Sequence, residues 1–587
     1  MISINRRTSG CAYPEAVVIA IAEPIMAEPL LSPQHRTLHA RQRERLARRG
    51  WSDIDRALQR PASYCHPAGR IRRIETHISV VYLAGRYAYK LKKPVDPGFL
   101  DFTSPAARQR ACEDEVRLNR RFARELYRGV GTIVREGRVC KIGRRGRVVE
   151  HVVKMRRFDE REVFDGLVAH EALGFPEMDA LADSLAAAHR RASRAVPRGS
   201  FGAASTVRTQ MQAVLDNLAK LGREAGVHVP ASIREWCERE WVRLAEHFEA
   251  RRAGGFVREC HGDLHLGNVL RRGKRVVMFD CIEFSNALRW IDVASDLSFL
   301  LMDLQAHGRD DLAARLLNGW LRRTGDFGAL PALRYYSVYR ALVRALAAAL
   351  KTRGGSKHQP LTEVNRYLAL AERLAAKPRP YLLLCHGYSG SGKSAASEAL
   401  VSLIGAVRVS SDSERKRVRP FALPDTRPLP PSAYTAQAID RHYDALLSLT
   451  RQVLASDYPA LVDATFLKRA HRERFAALAG SMGVPVLLLD FHARTCLLAE
   501  RVSRRTAQAQ VHAESDAGLV VLVRQLANEE PLSAQEWARA VCFDTEVAPD
   551  AFEHLKYWRA LLERLAHLDG PALSEEAVSP DAMAAHV

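Results

Sequence analysis

The chain has 587 residues, enough for two to four domains that each bury a core. Its apolar fraction of 47% and charged fraction of 26% exclude wholesale disorder. The formal charge of +21 comes mostly from arginines scattered through helix-like segments, which reads as solvated surface ahead of a nucleic-acid face, and the ten cysteines include no C-x-x-C pair, which fits a reduced cytoplasmic protein without a zinc site.

Residues 1–37 read as an unstructured leader. The apolar run 16–22 is too short to span a membrane and is interrupted by Glu23 and Pro24, and Met26 is a second candidate start. Helical patterns follow at 38–47 and 51–58. From Glu75 the period changes to that of strands, with Ala84 and Gly85 as the turn of a hairpin whose second arm carries Lys90, Lys92 and Lys93. Segment 107–126 is an amphipathic helix with Glu113 and Glu115. A further hairpin is expected around Gly143 and Gly146, then a strand over 148–155 and helices over 178–194, 207–221 and 232–252. Gly254 and Gly255 break that pattern.

The stretch 261–280, HGDLHLGNVLRRGKRVVMFD, then places Asp263 five residues before Asn268, and after a basic turn the apolar run 276–279 delivers Asp280 to a strand end. Phosphoryl transfer asks for a carboxylate that orients and deprotonates a hydroxyl, and for oxygen ligands that hold magnesium against a triphosphate. Asp263 fits the first role, Asn268 and Asp280 the second.

Protein kinases write such a site as H-R-D-L-x-x-x-N followed by an Asp-Phe-Gly strand end. Here Gly262 replaces the arginine and Cys281 follows the second aspartate. This variant resembles the aminoglycoside phosphotransferase and choline kinase branch of the kinase fold, whose members act on small molecules. The resemblance implies a bilobal domain over 38–376, with lobes divided near 155. It implies that Lys90 contacts the α and β phosphates, that Glu115, taken over Glu113 on the family pattern, pairs with it, and that 148–155 leads to an adenine-binding hinge. The segment with Arg289, Asp292 and Asp296 resembles the family's stretch after the metal-binding acid; Asp292 and Asp296, four apart and so able to share a helix face, are read as capping and positioning the catalytic loop, with a chemical role as the alternative.

Ala- and Leu-rich helices continue to 350, Gly354, Gly355 and Ser356 form a break, and a last helix spans 361–376. KPRP at 377–380 marks the domain boundary. A strand over 381–386 then runs into GYSGSGKS, 387–394, which satisfies G-x-x-x-x-G-K-[ST] in its strand-loop-helix setting. Gly387, Gly390 and Gly392 let backbone N–H groups, those of Ser389 and Ser391 included, converge on phosphates. Lys393 bridges the β and γ phosphates and the Ser394 hydroxyl ligates magnesium. Strands over 407–411 and 461–464 bring Asp412 and Asp463 to the crevice of a doubly wound sheet, Asp463 to orient magnesium and Asp412 to serve as acid or base toward an acceptor. A fourth strand covers 484–491.

Residues 380–545 resemble the gluconate kinase and polynucleotide kinase group of P-loop kinases. That resemblance implies a lid in which Arg501 and Arg505, on a helix leading to Ser515 and Asp516, close on phosphates. The order of the two domains is similar to that of bacterial bifunctional proteins with an aminoglycoside phosphotransferase-like domain fused to an ATP-binding domain. The expected architecture is therefore α/β and α+β, a bilobal protein-kinase-like fold followed by a P-loop NTPase doubly wound parallel sheet, with a C-terminal helix and tail over 546–587. The expected cofactors are ATP and magnesium, with GTP as an open choice. The expected partner is a small-molecule hydroxyl acceptor that no motif identifies. No membrane partner is expected. A nucleotide-sensing regulatory module and a nucleic-acid end kinase are the alternatives.

Overall fold

In strand β2 (Ser79–Ala84) every residue is buried, because apolar or small side chains leave the backbone toward both faces of the sheet. Val81 and Leu83 pack on one face with Cys112, Val116 and Ala123 of the helix Pro105–Ala123. Val80, Tyr82 and Ala84 pack on the other with Ile54 and Leu58 of a helix over residues 50–58. The coordinates are a computed structural model, which describes residues 50–568 apart from 77, 97–99, 197–198, 226, 355–360, 378, 423–428 and 509–517. The leader, the helical pattern at 38–47, Gly355, Ser356, the lid residues Ser515 and Asp516, and the tail beyond 568 lie outside the described residues.

Contacts divide the chain into two units, Met1–Arg309 with Ala332–Ala375, and Asp310–Pro331 with Ala376–Val587. In the first, β1 (Arg72–Glu75), β2, β3 (Tyr87–Lys92), β4 (Tyr127–Glu136), β5 (Val139–Ile142) and β6 (Arg147–Arg156) form an antiparallel sheet in the order β1-β2-β3-β6-β4-β5. Gly85, at φ 55°, turns β2 into β3. The hairpin expected around Gly143 and Gly146 is not one. β5 pairs with β4, turning at Gly137 (φ 57°), and 143–146 carries the chain to the other side of β4, where β6 pairs. Two glycines announce a change of direction, whereas the choice of partner strand is a non-local matter of burial.

The helix Pro105–Ala123 starts where Ser104 accepts a hydrogen bond from the Ala107 amide at 3.1 Å and Pro105 fills the first helical position. The rest of this unit is helical, and it includes Phe175–Arg191, Ala204–Ala225, Ala231–Ala253, Val293–Ala306 and Thr362–Ala375. Two short ribbons interrupt it. β7 (Val257–Glu259) pairs antiparallel with β10 (Trp290–Asp292) and staples the base of the intervening segment, which contains the hairpin β8 (Val269–Arg272) and β9 (Arg275–Met278).

The second unit has a parallel sheet of β11 (Leu382–His386), β12 (Val407–Ser410), β13 (Ala460–Asp463), β14 (Val486–His492) and β15 (Ala540–Asp544) in the order β12-β13-β11-β14-β15. β11 is central, so its C-terminal end opens on the crevice where doubly wound sheets take ligands. Leu383, Cys385, Leu461, Leu487 and Leu489 pack with Ala396 and Leu400 of the helix Lys393–Ile404 and with Trp558.

The helix Asp310–Thr324 belongs to this second unit although it precedes KPRP in the chain. Asn318 accounts for that in part. Its Nδ2 donates to the Ala406 carbonyl at 2.9 Å and its Oδ1 accepts from the Arg408 amide at 2.8 Å, so one carboxamide occupies the open edge of β12 as a neighbouring strand would. Among the described residues no helix is long and apolar enough to cross a membrane, and all nine cysteines are free thiols.

Candidate active sites

In the first unit the segment between β7 and β10 is held from below by buried Asp296, on the helix Val293–Ala306. Its carboxylate accepts from the amides of His261 (3.1 Å) and Gly262 (2.9 Å) and lies 3.1 Å from His189 Nε2. Burial acts to raise its pKa, yet His189, His261 and the Gly262 amide bring it down to about 2. Arg340 donates to the Gly262 carbonyl at 3.2 Å. Gly262 has φ 87°, and a Cβ there would lie 2.6 Å from the Leu288 carbonyl oxygen, which explains why no arginine stands at this position. Asp292 accepts from the Ala294 amide at 2.8 Å and pairs with Arg251 at 2.6 Å, so it caps the helix.

Asp263 and Asn268 come together. Asn268 Nδ2 donates to the Asp263 carbonyl at 2.9 Å and to its Oδ2 at 3.1 Å. Burial raises the pKa of Asp263, but His265, His261 and Arg344 outweigh it and the net direction is down, so the carboxylate is charged at neutral pH. Asn268 Oδ1 is buried without a hydrogen-bond partner. An orphaned hard oxygen of this kind fits a magnesium ligand.

Asp280 has φ 62°, a strained conformation for a side-chain-bearing residue. Its amide donates to Tyr127 Oη at 3.1 Å, and the next amide, of Cys281, donates to Asn119 Oδ1 at 2.8 Å. Lys90 Nζ donates to Asp280 Oδ1 at 2.5 Å and lies 3.1 Å from Glu115 Oε1, while Glu113 is an exposed neighbour of Gln109. Burial works to lower the Lys90 pKa, but Asp280, Glu115 and Glu283 push it well above the usual range. Beside Lys90 and Asp280 opens a small cleft of about 30 Å³ with apolar walls from Leu83, Ala88, Met155 and Phe279. Tyr127 and Asn119 went unread in the sequence, since neither belongs to a motif and their partners are distant in the chain; His265 stands within the quoted motif but was given no role there, and it lies 3.5 Å from Asp263.

In the second unit, β11 leads into a loop that only glycine permits at three points. A Cβ at Gly387 would lie 2.3 Å from the Phe491 carbonyl oxygen, and one at Gly390 2.8 Å from that of Leu498, with φ 132° and 86°. Gly392, at φ 80°, faces Thr545. Lys393 Nζ donates to the Tyr388 carbonyl at 2.7 Å and to Ser391 Oγ at 3.3 Å. Burial lowers the Lys393 pKa. The Ser389 amide donates to Gln525 Oε1 at 2.9 Å, on the helix Leu519–Asn528.

Next to this loop lies a cavity of about 620 Å³. Ser389, Gly390, Gly392, Lys393, Ser394, Asp412, Asp463, Arg501 and Arg505 line it, whereas Gly387 and Ser391 do not, Ser391 being turned to Lys393. Asp463 ends β13, where Arg408 reaches it at 2.5 Å. Burial raises the Asp463 pKa, yet Arg408, Lys393 and a hydrogen bond from Ser394 bring it down. Asp412 does not end a strand. β12 stops at Ser410, and Asp412 lies in the first turn of the short helix Ser411–Arg415, because Ser410 Oγ caps that helix by accepting from the Ser413 amide at 3.4 Å. Arg501 holds the loop as well as bordering the cavity. Its guanidinium donates to the Gly390 carbonyl at 3.3 Å and to the Thr545 carbonyl at 2.7 Å.

A family model described as "Phosphotransferase enzyme family" matches residues 99–336, and one described as "AAA domain" matches 382–532. Uncharacterized proteins of Mycobacterium tuberculosis and Mycobacterium bovis are 30% identical over 455 residues, 76% of this chain and 88% of each relative. Among solved structures, a choline/ethanolamine kinase family protein from Mesorhizobium loti is 14% identical with TM-score 0.34, covering 56% of this chain and 96% of its own. A gluconokinase from Sinorhizobium meliloti is 22% identical with TM-score 0.24, covering 33% and 99%. The two family matches together support an ATP-dependent phosphotransferase. The chain, in which a phosphotransferase enzyme family domain precedes a P-loop domain of the AAA type, belongs to the family of the mycobacterial proteins.

Proposed function

We propose that the protein transfers the γ-phosphate of ATP to hydroxyl groups of small molecules, with one nucleotide site in each unit and a cytoplasmic setting. The observation that carries the reading is the buried Asp263 carboxylate, hydrogen-bonded to an Asn268 whose Oδ1 has no partner. Asp263 orients the acceptor hydroxyl and receives its proton, a role that its charged state at neutral pH supports. Lys90 steadies the α and β phosphates, with Glu115 behind it. Asn268 and Asp280 are the residues that would hold magnesium, which when bound neutralises charge developing on the phosphate oxygens.

In the second unit, Lys393 and the loop amides hold nucleotide phosphates, and the Ser394 hydroxyl with Asp463 suits a second magnesium. Asp412 faces the same cavity and serves the acceptor. Arg501 and Arg505 complete the phosphate-binding wall. Positioning and electrostatics supply most of the acceleration at both sites.

A second reading applies to the second unit alone. Arg408 already neutralises Asp463, which favours a site that binds ATP as a regulatory signal without transferring phosphate. Labelled ATP and a cell extract test both. Asp263→Ala and Lys393→Ala are each expected to remove a separable set of labelled products, and a double variant that labels the extract like the parent would end the two-site proposal. Retained ATP binding with no Lys393-dependent product supports the regulatory reading.

A further inference from the structure

Lys92 stands two residues beyond Lys90 on β3, so both side chains leave the same face of the sheet. Glu115 receives both. Oε1 is 3.1 Å from Lys90 Nζ and Oε2 is 2.5 Å from Lys92 Nζ. The two lysines part company in their other contacts. Lys90 borders the apolar cleft and donates to Asp280. Lys92 is 0% exposed, does not border the cleft, and pairs with Glu283, three residues past Asp280. A buried ammonium with two carboxylates and no access to ligand is not a phosphate contact.

We propose that Lys92 is a positioning residue of the first site: together with Glu283 it fixes Glu115 and the chain after Asp280, so that Lys90 is released from Asp280 to the nucleotide phosphates. The inference rests on reading the first unit as an ATP site. When Lys90 turns to phosphate, Asp280 loses its cation and is available to magnesium. Glu115 keeps Lys92 and stays neutralised. Without Lys92, Glu115 and Glu283 become two buried carboxylates that compete for Lys90, and a cation held by two buried acids is withheld from the phosphates. The helix Pro105–Ala123 and the segment after Asp280 also lose a shared tie.

The test uses the full chain carrying Lys393→Ala, which silences the second nucleotide site, and magnesium AMP-PNP as probe in calorimetry. This parent must bind the probe; if it does not, the ATP reading itself fails before any variant is compared. Lys92→Met is expected to raise the Kd roughly tenfold, as a small misplacement of positioning groups does. In ATP turnover the loss is expected in KM for ATP rather than in kcat. Lys92→Met is the more disruptive change, so Glu283→Gln, which keeps the side-chain shape, provides the second measurement and is expected to raise the Kd in the same direction. The result that overturns the proposal is a Glu283→Gln chain, or a folded Lys92→Met chain, that binds magnesium AMP-PNP as the parent does. A purely structural Lys92 would lower the unfolding temperature and leave Kd and KM in place.

Discussion

Asn268 Nδ2 donates both to the backbone carbonyl and to the side-chain Oδ2 of Asp263, at 2.9 and 3.1 Å, so one carboxamide sets the direction of the carboxylate and turns its own oxygen away, buried and unpartnered. The proposed base and the proposed metal ligand are thereby one rigid piece. Asp263→Asn keeps the shape and removes the charge that receives a proton. Its expected effect on first-site turnover is a fall in kcat of roughly 10²- to 10⁴-fold. ATP affinity is expected to change little, because the proposed function gives Asp263 to the acceptor and not to ATP, and calorimetry on the Lys393→Ala chain separates the two effects.

Gly262 is where the loop passes closest to its surroundings. A methyl group there meets the Leu288 carbonyl oxygen at 2.6 Å in a backbone region that disfavours side chains. Gly262→Ala is expected to destabilise the first unit by about 1–3 kcal/mol and to lower kcat through displacement of the adjacent Asp263. Urea denaturation followed alongside turnover checks both, and a chain of parental stability and activity would show that the loop yields freely.

Asp296 makes stability depend on acid. Its folded pKa of about 2 lies below the ordinary 3.8, so the folded state keeps this carboxylate ionised where the unfolded chain has protonated it. The resulting stabilisation, about 2 kcal/mol, is present in full above pH near 4 and is lost as pH falls toward 2. Asp296→Asn is expected to cost at least that much at pH 7, since the amides of His261 and Gly262 lose a charged acceptor. Its stability is also expected to fall less steeply between pH 4 and 2. Denaturation midpoints across that range check the slope.

The residues that line each candidate site were legible because they are close in sequence and restricted in type. Asp263, Asn268 and Asp280 fall within one loop and hairpin, and Gly387, Gly390, Gly392, Lys393 and Ser394 within one turn. What supports them was not legible. Tyr127 and Asn119 reach the amides of Asp280 and Cys281 across more than 150 residues, and tyrosine and asparagine have no period or spacing that announces such a contact. Asn318 completes β12 from a helix 90 residues upstream of Arg408, so a boundary drawn from the prolines at 378 and 380 separates residues that fold together. Asp412 was placed at a strand end by apolar pattern, whereas Ser410 shows how one capping hydroxyl ends the strand earlier. Hydrogen-bond partners decided these points, and hydrophobic periodicity does not encode them.

Gln525 yields the last prediction. Its Oε1 accepts from the Ser389 amide at 2.9 Å, and that amide belongs to the loop whose N–H groups are proposed to serve phosphate oxygens. Nucleotide binding through this amide requires the carboxamide to leave. The exchange is unfavourable to the nucleotide by the net worth of one hydrogen bond, about 1 kcal/mol. In Gln525→Ala the amide has no side-chain competitor, while Tyr388 still donates to Glu529 and keeps the end of the helix Leu519–Asn528 near the loop. The expected outcome is a Kd for ATP at the second site lower by a factor of roughly 5, measured with magnesium AMP-PNP on the Lys90→Ala chain, in which the first site lacks the lysine proposed to hold its phosphates. A weaker affinity would mean that Gln525 contacts the nucleotide itself, and its role would then be that of a ligand-binding side chain in place of a competitor.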